Sequence, residues 1–149
     1  MLDSGKYLRE ISLQSDFRNP QHALQLTAGQ SQQQLFRRLS RRHVYGSLHG
    51  VCLVDTEGKV VCSYDGQRDS DGRRHPSWPR HLAVDKDSQF IFVADEYSRG
   101  VVSLSPTLEF VRNFGEVALS SGSSRLFLHQ ATRCLFVTDG RNSVVVVQL

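Results

Sequence analysis

What the sequence lacks narrows it first. No apolar run approaches the roughly 18–20 residues that a membrane-crossing helix needs, so no membrane partner is expected. The opening Met1-Leu2-Asp3-Ser4-Gly5-Lys6 has no basic stretch followed by an apolar one, the form of a secretory signal. A soluble chain of the cytoplasm is the expectation. Cysteine is scarce: Cys52, Cys62 and Cys134 are odd in number and form no C-x-x-C pair. Each sits in an apolar run, as in Val51-Cys52-Leu53, so they read as small buried hydrophobes rather than disulfide or zinc ligands. Excess charge of one sign is nearly absent too. Eighteen Lys and Arg against fifteen Asp and Glu leave +3, too little for the balance alone to imply nucleic acid. Nucleophile-elbow, phosphate-loop and paired-histidine motifs are missing as well. A non-enzyme without a cofactor is therefore expected.

What is present is a chain of 149 residues, 39% hydrophobic and 22% charged, enough for one domain with a core and too apolar for wholesale disorder. Its positive charges are clustered: Arg37, Arg38, Arg41 and Arg42 fall together, and Arg73 and Arg74 adjoin His75.

The strongest signal is repetition. Pro79-Arg80-His81-Leu82-Ala83-Val84-Asp85, Phe90-Ile91-Phe92-Val93-Ala94-Asp95, Val101-Val102-Ser103-Leu104-Ser105 and Glu109-Phe110-Val111-Arg112-Asn113-Phe114 are short runs rich in β-branched and aromatic residues. Turn-forming segments such as Lys86-Asp87-Ser88-Gln89 separate them, so residues 79–115 read as a well-formed four-stranded meander. Arg125 matches Arg80, and Phe136-Val137-Thr138-Asp139 repeats Phe92-Val93-Ala94-Asp95, which makes 124–149 a second copy with three strands. Upstream, residues 18–66 form a degenerate copy. Its opening Pro20-Gln21-His22 resembles Pro79-Arg80-His81, and its closing half, Val51–Asp55 and Lys59–Tyr64, is intact. Between them, 30–47 is polar; Leu35, Phe36 and Leu39 fall at helical spacing, favouring a short amphipathic helix or an irregular insertion over a strand. Residues 1–14 have the turn-plus-strand form of Val54–Val61 and read as a lone outer strand, completing a last blade or left unpaired.

A four-stranded unit cannot cover both its faces alone. Like units stacked around an axis cover one another, and a repeat of about 40–45 residues with four strands signals a propeller. The fold class expected is all-β, a partial β-propeller of about three four-stranded antiparallel blades.

The pattern Pro-x-x-Leu-Ala-Val-Asp, Phe-Ile-Phe-Val-Ala-Asp and Val-Val-x-Leu-Ser of residues 79–105 resembles the NHL repeat, in the style of TRIM-NHL propellers. Residues 124–149 and 48–64 match in part and 30–47 does not. The family's loop carries Asn and then Arg before the Val; here Ser98 and Gly100 take those places, with Arg99 between them. The resemblance implies a non-catalytic binding or scaffold module, as in the substrate-recruiting part of a ubiquitin ligase system. No RING or B-box pattern occurs in this chain. Such rings generally have six blades, so the chain reads as a fragment of a ring, or as half of one that a homodimer completes head to tail.

The resemblance also implies a binding rim made by the loops at one end of the blades. Carried over by position, it collects Arg73, Arg74, Arg80, Tyr97, Arg99, Arg125 and Arg141. Arginines beside aromatic rings are the ingredients for phosphate contacts and base stacking, so single-stranded RNA or a protein partner is expected there. In the competing reading, Arg80 and Arg125 pair with Asp85, Asp95 or Asp139, and Trp78 packs between blades. The alternative function is a propeller metalloenzyme resembling the amidating lyases, with His22 and His81 at equivalent places; Leu126 stands where a third would be. Asp69-x-Asp71-Gly72 lacks the remaining ligands of a calcium loop.

Overall fold

In the computed structural model, residues 23–28, 31–40, 48–55, 57–68, 70–72, 74–114, 125–138 and 143–149 are described, the strands at 23–28, 31–40, 48–49 and 74–76 by backbone course. The expected outer strand at 1–14 lies outside them. Runs of Val, Ile, Leu and Phe bounded by Asp, Ser and Gly become strands because β-branched and aromatic side chains suit a pleated, buried surface. Among the described residues there is no helix.

Strands β1 (Ala23–Ala28), β2 (Ser31–Ser40), β3 (Leu48–Val54) and β4 (Val60–Tyr64) form a first sheet. A small hairpin follows, β5 (Gly66–Arg68) with β6 (Arg74–Pro76), so part of the expected long loop 66–77 is paired. The central sheet is β7 (Pro79–Val84), β8 (Ile91–Asp95), β9 (Gly100–Leu104) and β10 (Phe110–Phe114). The last sheet is β11 (Arg125–His129), β12 (Cys134–Thr138) and β13 (Val144–Gln148). Each sheet is an antiparallel meander with its strands in chain order.

One local device closes the tight turns. The side chain of Asp55 accepts the amides of Glu57 and Lys59, and that of Asp85 accepts the amide of Asp87. Asp95 does the same for Tyr97, and the Ser105 hydroxyl accepts Thr107 and Glu109. A residue with positive φ then returns the chain: Gly58, Gln89, Arg99 or Leu108. Turns of this kind pin the hairpin register without help from the core.

Packing is face to face. Val51, Leu53 and Tyr64 of the first sheet bury against Leu82, Ile91, Val93, Val102 and Leu104 of the central one. The opposite side of the central sheet, with Ala83, Phe92, Ala94, Val101 and Phe114, meets Leu126, Leu128, Leu135 and Val137 of the last. Every residue of β8 and β9 is therefore buried. Strand β7 lies beside β1, β2 and β3 on one side and β11 on the other, and β11 also reaches β8. Near the start of β3, a Cβ on Gly50 would lie 2.5 Å from the Tyr64 carbonyl oxygen. Gly50→Ala is expected to force β3 and β4 apart and cost about 1–3 kcal/mol, readable as a lowered urea midpoint.

The segment 31–40 corrects the sequence reading. It is strand β2, where a helix or an irregular insertion was expected. It pairs on both edges: Leu35 stands opposite Leu24 and Leu53, and Phe36 opposite Ala23 and Cys52. Two flanking ladders outweigh a helical spacing that rests on three residues.

All three cysteines are free; Cys52 is buried and the other two are half-buried. No helix among the described residues is long and apolar enough to cross a membrane.

Candidate functional site

The residues expected to form a rim divide into three groups. Arg73 and Arg141 lie outside the described residues, and Arg74 is placed by its backbone, opposite Arg68 in the small hairpin. Arg80, Tyr97, Arg99 and Arg125 are described and belong to one end of the stack. The Ser77 amide donates to the Asp65 carbonyl at 3.1 Å and closes the base of the β5–β6 hairpin.

Local structure explains how each is held. Arg80 sits at a bulge between Pro79 and His81, which frees its side chain from the regular alternation. It turns toward the neighbouring loop, where its guanidinium donates to and pairs with the Glu96 carboxylate. In the competing reading Arg80 reaches Asp85, Asp95 or Asp139; Asp139 lies outside the described residues, and Glu96 is a partner the bulge allows Arg80 to meet along the rim. Tyr97, Ser98 and Arg99 form the turn from β8 to β9. The Arg99 amide donates to the Glu96 carbonyl, and Arg99 takes a φ of 51°. Tyr97 is 50% exposed. Arg125 opens β11, and its amide donates to the Thr138 hydroxyl. The next amide, Leu126, donates to Nδ1 of His81 at 3.3 Å, which sets the start of β11 against the start of β7 and so brings Arg125 to the Arg80 end.

Asp95 is the anchor under this rim. It is buried, and one carboxylate oxygen accepts the Trp78 amide at 2.7 Å and the Tyr97 amide at 3.1 Å. Burial raises its pKa, against the pull of those N–H donors. Burial also pushes the Tyr64 phenol far up, helped by the negative charges of Asp95 and Asp65. Trp78, expected to pack between blades, is 41% exposed. Its backbone donates to Asp95 and accepts from the Glu96 amide.

No protein-family model and no curated protein matches this chain. The case for a function therefore rests on its own residues.

The opposite end of the stack holds interactions that sequence reading missed. Asp85 is buried and pairs with Arg133 of the last sheet, while accepting from the Ser88 hydroxyl at 2.5 Å. Gln130 bridges the same two sheets, its amide donating to the Val84 carbonyl while its oxygen accepts the Lys86 amide. The signal was present in the sequence: Gln130 and Arg133 follow β11 as Asp85 and Ser88 follow β7, but which sheet would receive them is a tertiary fact.

For the metalloenzyme alternative, His22 lies outside the described residues, and Nδ1 of His81 is occupied by the Leu126 amide. No group of three or more His, Cys, Asp or Glu that could hold a metal occurs among the described residues.

Proposed function

We propose that the chain is part of an NHL-type propeller and acts as a non-catalytic binding module, taking single-stranded RNA on the rim at the Arg80 end. The observation that carries the reading is the turn Glu96–Arg99, which presents the half-exposed Tyr97 ring beside the exposed Arg99. Stacked meanders whose contacts gather on β7 support the propeller part. Trp78 supplies a second partly exposed ring on the same rim, while the charge of Arg80 is met by Glu96, so the cation of this reading is Arg99. Rings that stack bases, with cations that meet phosphates, are what sequence-tolerant single-strand binding uses.

Arg99 takes the left-handed φ that Gln89 and Leu108 take in the equivalent turns, at a cost of about 1–2 kcal/mol relative to glycine, so replacing it by glycine separates an effect on binding from an effect on stability.

The test uses the full chain and a fluorescent oligouridine. Affinity is expected to fall with salt at a slope of about 0.7 per phosphate contacted. Arg99→Gly is expected to raise the unfolding midpoint while weakening binding. Tyr97→Ala is expected to weaken binding by about 1–3 kcal/mol, the worth of one stacked base. An oligouridine that does not bind at low salt, or a Tyr97→Ala variant that binds as well as the parent, refutes RNA and leaves a protein ligand for the rim.

A further inference from the structure

We propose that the outward face of the last sheet is a dimer interface, covered by the same face of a second copy of this chain. The face follows from register. Leu126, Leu128, Leu135 and Val137 point at the central sheet. Phe127 and Phe136, with Val144 and Val146 opposite Thr138 and Phe136, therefore point away from it. Phe127 is 62% exposed, Val144 56% and Val146 54%. The Phe127 and Phe136 rings are 6.1 Å apart across the strands. This is a contiguous apolar patch on a sheet, the kind of surface that marks an interaction site.

Three observations identify the occupant as a second copy. First, the corresponding outward face of the central sheet carries Phe92, Ala94 and Val101, and it is buried by an antiparallel sheet of this same chain. A sheet of this composition thus already serves as a cover within the fold. Second, a head-to-tail neighbour would have to use the far side of the first sheet, where Cys52 and Val54 on β3 are already fully buried. The last sheet meets no such obstacle when it faces its own twin. Third, the charges allow the symmetric arrangement. The outward rows are Arg125, Thr138, Val144; then Phe127, Phe136, Val146; then His129, Cys134, Gln148. A two-fold axis along the middle row, across the strands, lays each Arg125 row over the row of His129, Cys134 and Gln148. Arginine then never opposes arginine, and no carboxylate of these rows is buried.

The size of the face sets the strength. Three strands about 4.8 Å apart and five residues long at about 3.3 Å each span about 14 by 17 Å. Two such faces bury well under the roughly 1,200 Å² of a standard interface, so the dimer is weak and concentration-dependent, with a dissociation constant on the order of 10–100 μM. It does not depend on the RNA reading: the two share only Arg125, in the outer row of this face, and the RNA reading is carried by Tyr97 and Arg99 in the turn from β8 to β9.

Sedimentation equilibrium of the full chain from about 5 to 500 μM tests it, a range that brackets that constant. The weight-average mass is expected to rise with concentration between 16.8 kDa and twice that value and not to exceed the dimer. Phe127→Arg puts like charges together on the axis and is expected to weaken association at least about tenfold, with an unchanged circular dichroism spectrum. Val146→Lys is expected to do the same and serves if Phe127→Arg fails to fold. Val61→Arg, an equally exposed hydrophobic position on β4, is expected to leave the dimer intact. A chain that stays monomeric over the whole range overturns the proposal. So does a ladder of species beyond the dimer, or a dimer that Phe127→Arg and Val146→Lys leave unchanged.

Discussion

Leu135→Ala is expected to lower the stability of the chain by about 3 kcal/mol, whereas Phe127→Ala changes it by less than about 0.5 kcal/mol. The two residues sit on adjacent strands of the last sheet and differ in the face they use. Leu135 is fully buried, opposite Leu128 and Val147, and packed on the central sheet. Removing its branched end leaves a cavity between two sheets that the turns and ladders hold apart, so the site cannot collapse to fill it. Phe127 loses little because it is mostly in water within one chain. Urea titration at a concentration too low for association reads both values. A costly Phe127→Ala with a neutral Leu135→Ala would mean that the last sheet presents its other face to the core. Ile91→Ala, on the other side of the central sheet, is expected to match Leu135→Ala, because the central sheet is buried from both directions.

The meanders were legible because their determinants are local. Asp85, Asp95 and Ser105 each stand at the end of an apolar run and cap the turn that follows, and Asp55 does so in the upstream copy. A reader of the sequence sees the run, the capping residue and the next run, and needs nothing distant. The strand β2 was not legible for the opposite reason. Its Leu35 and Phe36 satisfy a helical spacing locally, and only the rows they complete with Leu24, Leu53, Ala23 and Cys52 make them strand residues. The candidate rim was readable as a list of loop residues but not as a set of contacts. Arg80 finds Glu96 through a bulge that no pattern announces, and Trp78 enters the site through its backbone amide, which donates to Asp95. The outward apolar face was hidden by composition. Arg125-Leu126-Phe127-Leu128-His129 has an apolar centre, and only the alternation of burial along β11 separates the covered leucines from the open phenylalanine.

Asp85→Ala is expected to cost about 2–3 kcal/mol, and Arg133→Ala about 1 kcal/mol. The asymmetry follows from exposure. The Asp85 carboxylate is buried and answers three donors, the Ser88 hydroxyl, the Asp87 amide and Arg133, whereas the guanidinium is partly in water and can return to it. A double-mutant cycle should therefore show coupling smaller than the loss from Asp85 alone. The pH dependence separates this carboxylate from its neighbour in the same sheet. Burial pushes the Asp85 pKa up, but the bonds from Ser88, Arg133 and the Asp87 amide outweigh it, so the folded value lies below the ordinary 3.8. Stability from Asp85 is then complete above that ordinary value and is lost as the pH falls through the folded one. Asp95 has the opposite sign. Its folded pKa is raised, so its contribution is greatest in acid and declines as the pH rises through the folded value. Urea midpoints at neutral pH and in acid should accordingly show the Asp85→Asn penalty shrinking as the pH falls below the ordinary carboxylate value. Asp95→Asn, which keeps an oxygen for the Trp78 and Tyr97 amides, should be tolerated best at neutral pH. If both variants instead respond to acid alike, the bonds from Ser88, Arg133 and the Asp87 amide do not outweigh burial at Asp85.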